Sequence, residues 1–313
     1  MLNIVFMGTP DFARDSLEAL VEEGHNILTV VTNPDKPKGR GMKMIASPVK
    51  EYAIEKGIEV KQPLKVRDNI EFIEELKNLN PDLICVVAYG KIIPEEILNI
   101  PRFGCINVHG SLHPKYSGAA PIQWAVINGE KETGITTMYM DKGMDTGDMI
   151  LKEKVTIGDD ETTGELWDRL SKIGANLLIE TIKKIEEGTA PREKQGDDFS
   201  MAPMLKKEMA QINWEEKTAL EIKNLVRGLN PIMGAYTFKD DKMLKFWKVD
   251  IVNLEENTEM LPGTVIKANE KEGLFIKAKE GIVSILEIQG ENSKRMNIKD
   301  FLRGNKIEEG YKF

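Results

Sequence analysis

The sequence predicts an α/β protein, a mostly parallel sheet covered by helices, followed by a smaller barrel of short strands. Three observations predict it. Continuous apolar runs alternate with amphipathic helical patterns over roughly the first 186 residues. A polar, turn-rich stretch without periodicity follows, and beyond it short strand-like segments recur at close spacing. Uninterrupted apolar strands are what a sheet buried on both faces requires, because each side chain then meets a helix. At 313 residues the chain also exceeds the roughly 100–200 residues of a single domain.

In chain order, residues 2–7 read as a buried strand closed by Gly8. Thr9-Pro10 reads as a helix start, with Thr as the capping residue and Pro in the first turn. Ala13, Leu17, Leu20 and Val21 then share one helical face, which ends at Gly24 before a second strand at 27–31. A helix over 70–79 leads to strands at 83–88 and 104–108, with a further strand at 135–140 and a helix over 166–186. Gly188-Thr189-Ala190-Pro191 and Gln195-Gly196-Asp197-Asp198 read as a linker. The expected organisation is a domain at 1–189, a linker at 190–206 and a second domain at 207–313. In the latter, a helix over 218–229 precedes strands at 243–249, 263–268, 274–278 and 283–288, for which an OB-type barrel is one candidate.

Composition narrows the function classes. Hydrophobic residues at 41% and charged residues at 30% suit an ordinary globular chain. No stretch approaches the ~20 apolar residues of a membrane span, and the first residues lack a signal-peptide pattern, so a cytoplasmic protein without membrane partners is expected. Cys85 and Cys105 each lie in an apolar run and read as buried free thiols. Two Cys and three His show no zinc-ligand spacing, so no metal is expected. The net charge of −8 argues against wholesale nucleic-acid coating. It is uneven, though: residues 201–313 carry 19 Lys/Arg against 18 Asp/Glu, leaving 24 against 33 for residues 1–200.

The polar residues that interrupt this pattern are the candidates for chemistry. Asn107 and His109 lie two apart at the end of a buried strand and therefore point the same way. The carboxyl end of a parallel strand is where such sheets bind ligands. Asp141-Lys142-Gly143-Met144-Asp145-Thr146-Gly147-Asp148 follows the strand at 135–140. A carboxylate there could orient the imidazole and favour its protonated form, or could serve only the turn. Lys36, Lys38, Arg40, Lys43 and Lys50 face one acid, Asp35, in a Gly/Pro-rich loop that could meet phosphates. Lys239, Lys242, Lys245 and Lys248 recur around Phe246 and Trp247, either tracking a phosphate backbone or lining a solvated edge. Gly8-Thr9-Pro10 lacks the G-x-G-x-x-G of a dinucleotide site and reads as a tight turn.

Taken together, Asn107-Val108-His109-Gly110-Ser111-Leu112-His113-Pro114, Gly118-Ala119-Ala120-Pro121-Ile122-Gln123 and Asp145-Thr146-Gly147-Asp148 resemble the signatures of the folate-dependent formyltransferases. The opening Gly8-Thr9-Pro10-Asp11-Phe12-Ala13, the loop Asn33-Pro34-Asp35-Lys36-Pro37 with Gly39-Arg40-Gly41, Ser47-Pro48-Val49-Lys50, Val87-Ala88-Tyr89-Gly90 and Leu205-Lys206-Lys207-Glu208 narrow the resemblance to the branch acting on methionyl-tRNA. The resemblance implies a Rossmann-like catalytic domain and an OB-like domain that helps hold tRNA. It implies 10-formyltetrahydrofolate as co-substrate and initiator methionyl-tRNA as acceptor, serving translation initiation. Carried over by position, Asn107, His109 and Asp145 match catalytic residues, Ser111, Leu112, His113 and Pro114 the folate segment, and Arg40 the arginine of tRNA recognition. The family usually has Leu at the position of His113 and Arg at that of Ser117.

That chemistry needs donors at a developing oxyanion and a proton relay, which an Asn amide, an imidazolium and a carboxylate supply without metal or covalent nucleophile. Two other readings stay open. One is a related formyltransferase or formyl-folate hydrolase with another acceptor, such as a sugar nucleotide, a ribosylamine or water. The other is an RNA-binding module on a degenerate enzyme fold.

Overall fold

The structure, a computed structural model, describes residues 1–38, 42–253 and 259–313. Arg40 lies outside the described residues. By their contacts the residues form two compact units: Met1–Pro121, Glu132–Thr156 and Trp167–Pro203 in the first, and Ile122–Lys131, Ile157–Leu166 and Met204–Phe313 in the second.

The first unit opens with β1 (Asn3–Gly8), α1 (Asp11–Glu22), β2 (Asn26–Val31), the small hairpin β3 (Lys36–Lys38) and β4 (Lys43–Ile45), α2 (Pro48–Glu55) and β5 (Val60–Lys61). It continues through α3 (Ile70–Leu79), β6 (Leu83–Val87), α4 (Glu95–Leu98) and β7 (Cys105–His109). In chain order α5 (Pro121–Ile127), all but its first residue in the second unit, then precedes β8 (Glu132–Tyr139), β9 (Met149–Thr156) and α6 (Thr163–Glu186), which belongs to the first unit from Trp167 onward. Among the described residues the main sheet runs β5-β2-β1-β6-β7-β8-β9. Pairing is parallel from β5 to β7 and antiparallel from β7 through β9.

Alternation along the strands sorts the two faces. Val5, Met7, Ile84, Val86 and Cys105 pack in one core with Phe72, Ile73 and Leu76 of α3 and Ile97 of α4. The opposite face of β7 turns Val108 toward α6, where a Cβ on Gly174 would sit 3.1 Å from Val108. Each fully buried aliphatic side chain contributes about 1.5–3 kcal/mol, so both layers fix the sheet against its helices.

The helix start at Thr9-Pro10 is one residue later than expected. Pro10 occupies the capping position with extended backbone and no side-chain cap, and α1 begins at Asp11. The Thr9 hydroxyl is engaged elsewhere, accepting from the Asn33 side-chain amide at 3.0 Å.

The second unit contains a short 3-10 turn (Lys207–Ala210), α7 (Ala219–Gly228), β10 (Ala235–Lys239), β11 (Lys242–Val252), β12 (Val265–Asn269), β13 (Gly273–Lys277), β14 (Ile282–Gly290), β15 (Met296–Asn297) and α8 (Ile298–Gly304). Thr218 and Glu221 form a reciprocal capping box at the start of α7. The strands pair antiparallel in the order β10-β11-β14-β13-β12, with β15 on β14. Among the described residues no pairing joins β12 to β10, so this is an antiparallel sheet without the closure that a barrel requires. Its core gathers Trp214, Ile222, Leu225, Phe246, Ile276, Ile285 and Phe301. No described helix is long and apolar enough to cross a membrane.

Candidate active site

The site is built where β7 ends. Asn107 pairs with Val86 of β6 and Met138 of β8, and His109 pairs with Thr136 of β8. Both point to the face that carries α3, beyond Cys105 and past the packed core. Asn107 is partly exposed and His109 is only 7% exposed.

The ring of His109 is held in one tautomer. Its Nδ1 lies 3.1 Å from Ser111 Oγ, and that hydroxyl gives its only hydrogen to Lys115 O at 2.7 Å. Ser111 can therefore only accept, so Nδ1 carries the hydrogen and Nε2 is turned to the site. There Nε2 sits 3.4 Å from Asp145 Oδ2. The structure thus brings together the imidazole and the carboxylate, residues 36 positions apart in the sequence.

Asp145 is fixed from three sides. It has a left-handed backbone (φ 55), and its Oδ2 accepts the Gly118 N–H at 2.9 Å. Gln195 Nε2 donates to Asp145 O at 2.7 Å and to Gly147 O at 2.9 Å. Gly147 is required, because a Cβ there would fall 1.7 Å from Tyr139 O. Burial alone would raise the pKa of Asp145. The hydrogen bond and charge of His109 and the Gly118 amide outweigh it and hold the carboxyl below its ordinary range.

The segment Ser111, Leu112, His113 and Pro114 is secured by β8. Thr136, fully buried, donates its hydroxyl to Ser111 O at 2.7 Å and accepts the His113 N–H at 3.1 Å. The His113 ring lies edge-on to His109 with centroids 4.3 Å apart. At 2% exposure, neither of its ring nitrogens makes a hydrogen bond. Burial pushes its pKa down to about 3, with the charge of His109 acting in the same direction and Asp145 against it. Ser117 hydrogen-bonds through its backbone to Ser200 and Ala202, and Ala120 N–H to Ala202 O, so part of the stretch read as a linker braces the site. A Cβ on Gly118, at φ 126, would meet Ala202 O at 2.7 Å.

Thr136, Gln195, Ser200 and Ala202 were not among the sequence candidates. Two threonines inside an otherwise apolar strand were a readable signal for the first; the others stood in a polar stretch with none.

At the neighbouring strand ends, Asn33 Nδ2 bridges Thr9 Oγ1 and Tyr89 O. Of the basic loop, Lys50 is bound to Asp35 at 2.7 Å and to Gln62 at 2.8 Å, which removes it from the free cations. In the second unit Lys239 of β10 pairs with Asp240 and Lys245 of β11 donates to Met233 O, so the lysine row on these two strands is partly spent on the fold. Cys85 and Cys105 are buried free thiols; burial pushes both up, Cys105 to about 12, and leaves them inert at neutral pH.

The end of β7 thus sets an imidazole against a carboxylate, with the Asn107 amide two residues earlier on the same strand face. The chain belongs to the formyl transferase family: the formyl transferase model matches residues 2–182, and the formyl transferase C-terminal domain model matches 204–306. It is 55% identical over 310 residues, 99% of each chain, to methionyl-tRNA formyltransferase of Caldanaerobacter subterraneus subsp. tengcongensis. Two solved structures share the fold at lower identity. An N-formyltransferase from Helicobacter canadensis in complex with folinic acid and dTDP-3-aminofucose is 22% identical, with a TM-score of 0.67 over 91% of this chain and 99% of that one. HypX from Aquifex aeolicus in complex with tetrahydrofolic acid is 17% identical, with a TM-score of 0.63 over 99% of this chain; this chain spans half of HypX.

Proposed function

We propose that the protein transfers the formyl group of 10-formyltetrahydrofolate to the α-amino group of methionine on initiator methionyl-tRNA. End-to-end similarity to a methionyl-tRNA formyltransferase, 55% over 99% of both chains, is the observation that carries the acceptor. The family carries the reaction class.

In this reading the amine attacks the formyl carbon, a C–N bond forms and an oxyanion develops. The Asn107 amide and the His109 Nε2–H of the imidazolium donate to it, each such donor being worth about 10²–10³ in rate. Collapse breaks the bond to N10, which gains a proton as the new amide nitrogen loses one. His109, aligned by Ser111 and balanced by Asp145, relays that proton. Ser111, Leu112, His113 and Pro114 are the proposed folate contacts and Arg40 a proposed tRNA contact. The boundaries 1–189, 190–206 and 207–313, an OB-type second domain that helps hold tRNA, and a cytoplasmic location belong to the same proposal.

The test compares acceptors at fixed donor: charged initiator tRNA, charged elongator tRNA, an amino-sugar nucleotide and water. Formyl-methionyl-tRNA from the initiator species is the expected product. Formate release alone, or preference for the amino sugar, would transfer the assignment to the hydrolase or sugar-modifying reading.

A further inference from the structure

His109, His113 and Asp145 do more than form a strand-end triad. Their potential ligand atoms, two imidazole nitrogens and a carboxylate oxygen, all lie within 4.8 Å of one another. The second observation is independent: both rings are more than nine-tenths buried, His109 Nε2 faces the Asp145 carboxylate at 3.4 Å, and neither nitrogen of His113 makes a hydrogen bond. Buried lone pairs left unsatisfied cost about 1–3 kcal/mol each. One bound cation would satisfy a nitrogen of each ring at once.

We infer that His109, His113 and Asp145 constitute a binding site for one late first-row divalent cation, zinc fitting best, whose occupancy switches formyl transfer off. The donor set decides the metal: two imidazoles with one carboxylate suit zinc, cobalt or nickel, whereas magnesium and calcium take oxygen ligands. The distances decide the geometry. Tetrahedral zinc with bonds of about 2.0–2.2 Å holds its ligand atoms roughly 3.4 Å apart. His109 Nε2 and Asp145 Oδ2 already stand at 3.4 Å. In the inferred site a nitrogen of His113, within 4.8 Å of the other two ligand atoms, supplies the third bond, and water would take the fourth. The Nδ1–H of His109, anchored on Ser111, is the outer support that ligating imidazoles characteristically have.

His113 completes the ligand set. Zinc on Nε2 and Oδ2 withdraws the groups proposed to relay the proton. That consequence rests on the proposed function; metal binding itself does not.

The full-length chain, stripped with chelator, is titrated with Co²⁺ as a visible probe and then with Zn²⁺. One Co²⁺ per chain should bind with the intense absorption of a four-coordinate ion, and one Zn²⁺ should displace it. His113→Leu and Asp145→Asn, each checked for folding by circular dichroism, should weaken binding by more than about 100-fold. His25→Gln, outside the cluster, should leave it intact. Zinc should raise the wild-type melting temperature but not that of His113→Leu. No intense band, or an unchanged band in both cluster variants, overturns the site. Turnover with and without zinc, compared within each protein, should fall at least about tenfold in wild type and recover with chelator. A zinc-loaded protein that transfers formyl at its metal-free rate overturns the inhibitory half. If metal-free protein transfers no formyl group at all, the proposed function fails while the Co²⁺ titration still decides the site.

Discussion

Ser111→Ala isolates the device that presents His109 Nε2 to the site. In the wild type the Ser111 hydroxyl is committed to Lys115 O and accepts from His109 Nδ1, which fixes the tautomer without touching Nε2. Removing Oγ leaves a buried N–H without its acceptor, a penalty of about 1–3 kcal/mol. The ring can relieve that penalty by moving its hydrogen to Nε2 or by rotating away from Asp145, and either change removes the aligned relay. At about 1.36 kcal/mol per factor of ten, turnover should fall about 5- to 150-fold. Single-turnover formyl transfer measures the loss, and ¹⁵N spectra of the imidazoles report the tautomer directly. Wild-type turnover together with an unchanged Nδ1–H signal would refute the orienting role of Ser111. A lowered rate with the tautomer intact would place the effect in the folate segment instead.

Other perturbations test other parts of the structure. His113 is neutral in the folded protein down to about pH 3, whereas the unfolded chain takes up a proton at its ordinary 6.5. Unfolding therefore binds a proton between those values, and stability should drop as pH falls below 6.5, by about 2 kcal/mol between about pH 7 and about pH 5. His113→Leu, melted in chelator, should lose that slope, and parallel wild-type and variant profiles would contradict the assignment. Gln195→Ala frees the Asp145 and Gly147 carbonyls, so kcat should fall about tenfold while the KM for tRNA holds; a change confined to KM would count against a positioning role. Arg227, 7% exposed, donates to Asn224 Oδ1, Gly158 O and Glu161 O, so Arg227→Met should destabilise the second unit by about 3 kcal/mol or more in calorimetry. A loss below about 0.5 kcal/mol would show those bonds to be dispensable.

Strand positions in the parallel half were legible because their side chains are buried on both faces, and the apolar runs at 2–7 and 83–88 became β1 and β6 nearly residue for residue. The antiparallel turn of the sheet at β8 and β9 was not, since the polar Lys152, Glu153 and Lys154 of β9 are exposed and interrupt the apolar pattern. Asn107 and His109 announced themselves as polar residues ending an apolar strand. Their partner Asp145 was one Asp among three in its loop until the resemblance singled it out. Local sequence carries no trace of Gln195 reaching back to that loop, nor of residues 122–131 and 157–166 packing with the second unit, because these contacts span tens of residues. The same holds for His113: its approach to His109 follows from the fold-back held by Thr136, not from spacing.

The central claim is that the β7 strand end catalyses formyl transfer to the methionyl amine. A rapid-quench single turnover with donor labelled in the formyl carbon and charged initiator tRNA tests it most directly, in wild type and in His109→Ala. The label should appear on the methionine α-nitrogen in wild type and appear at least about 10²-fold more slowly in His109→Ala, with tRNA affinity preserved. Label on the methionine at equal rates in both proteins would contradict the assigned site, and label recovered only as formate would contradict the acceptor.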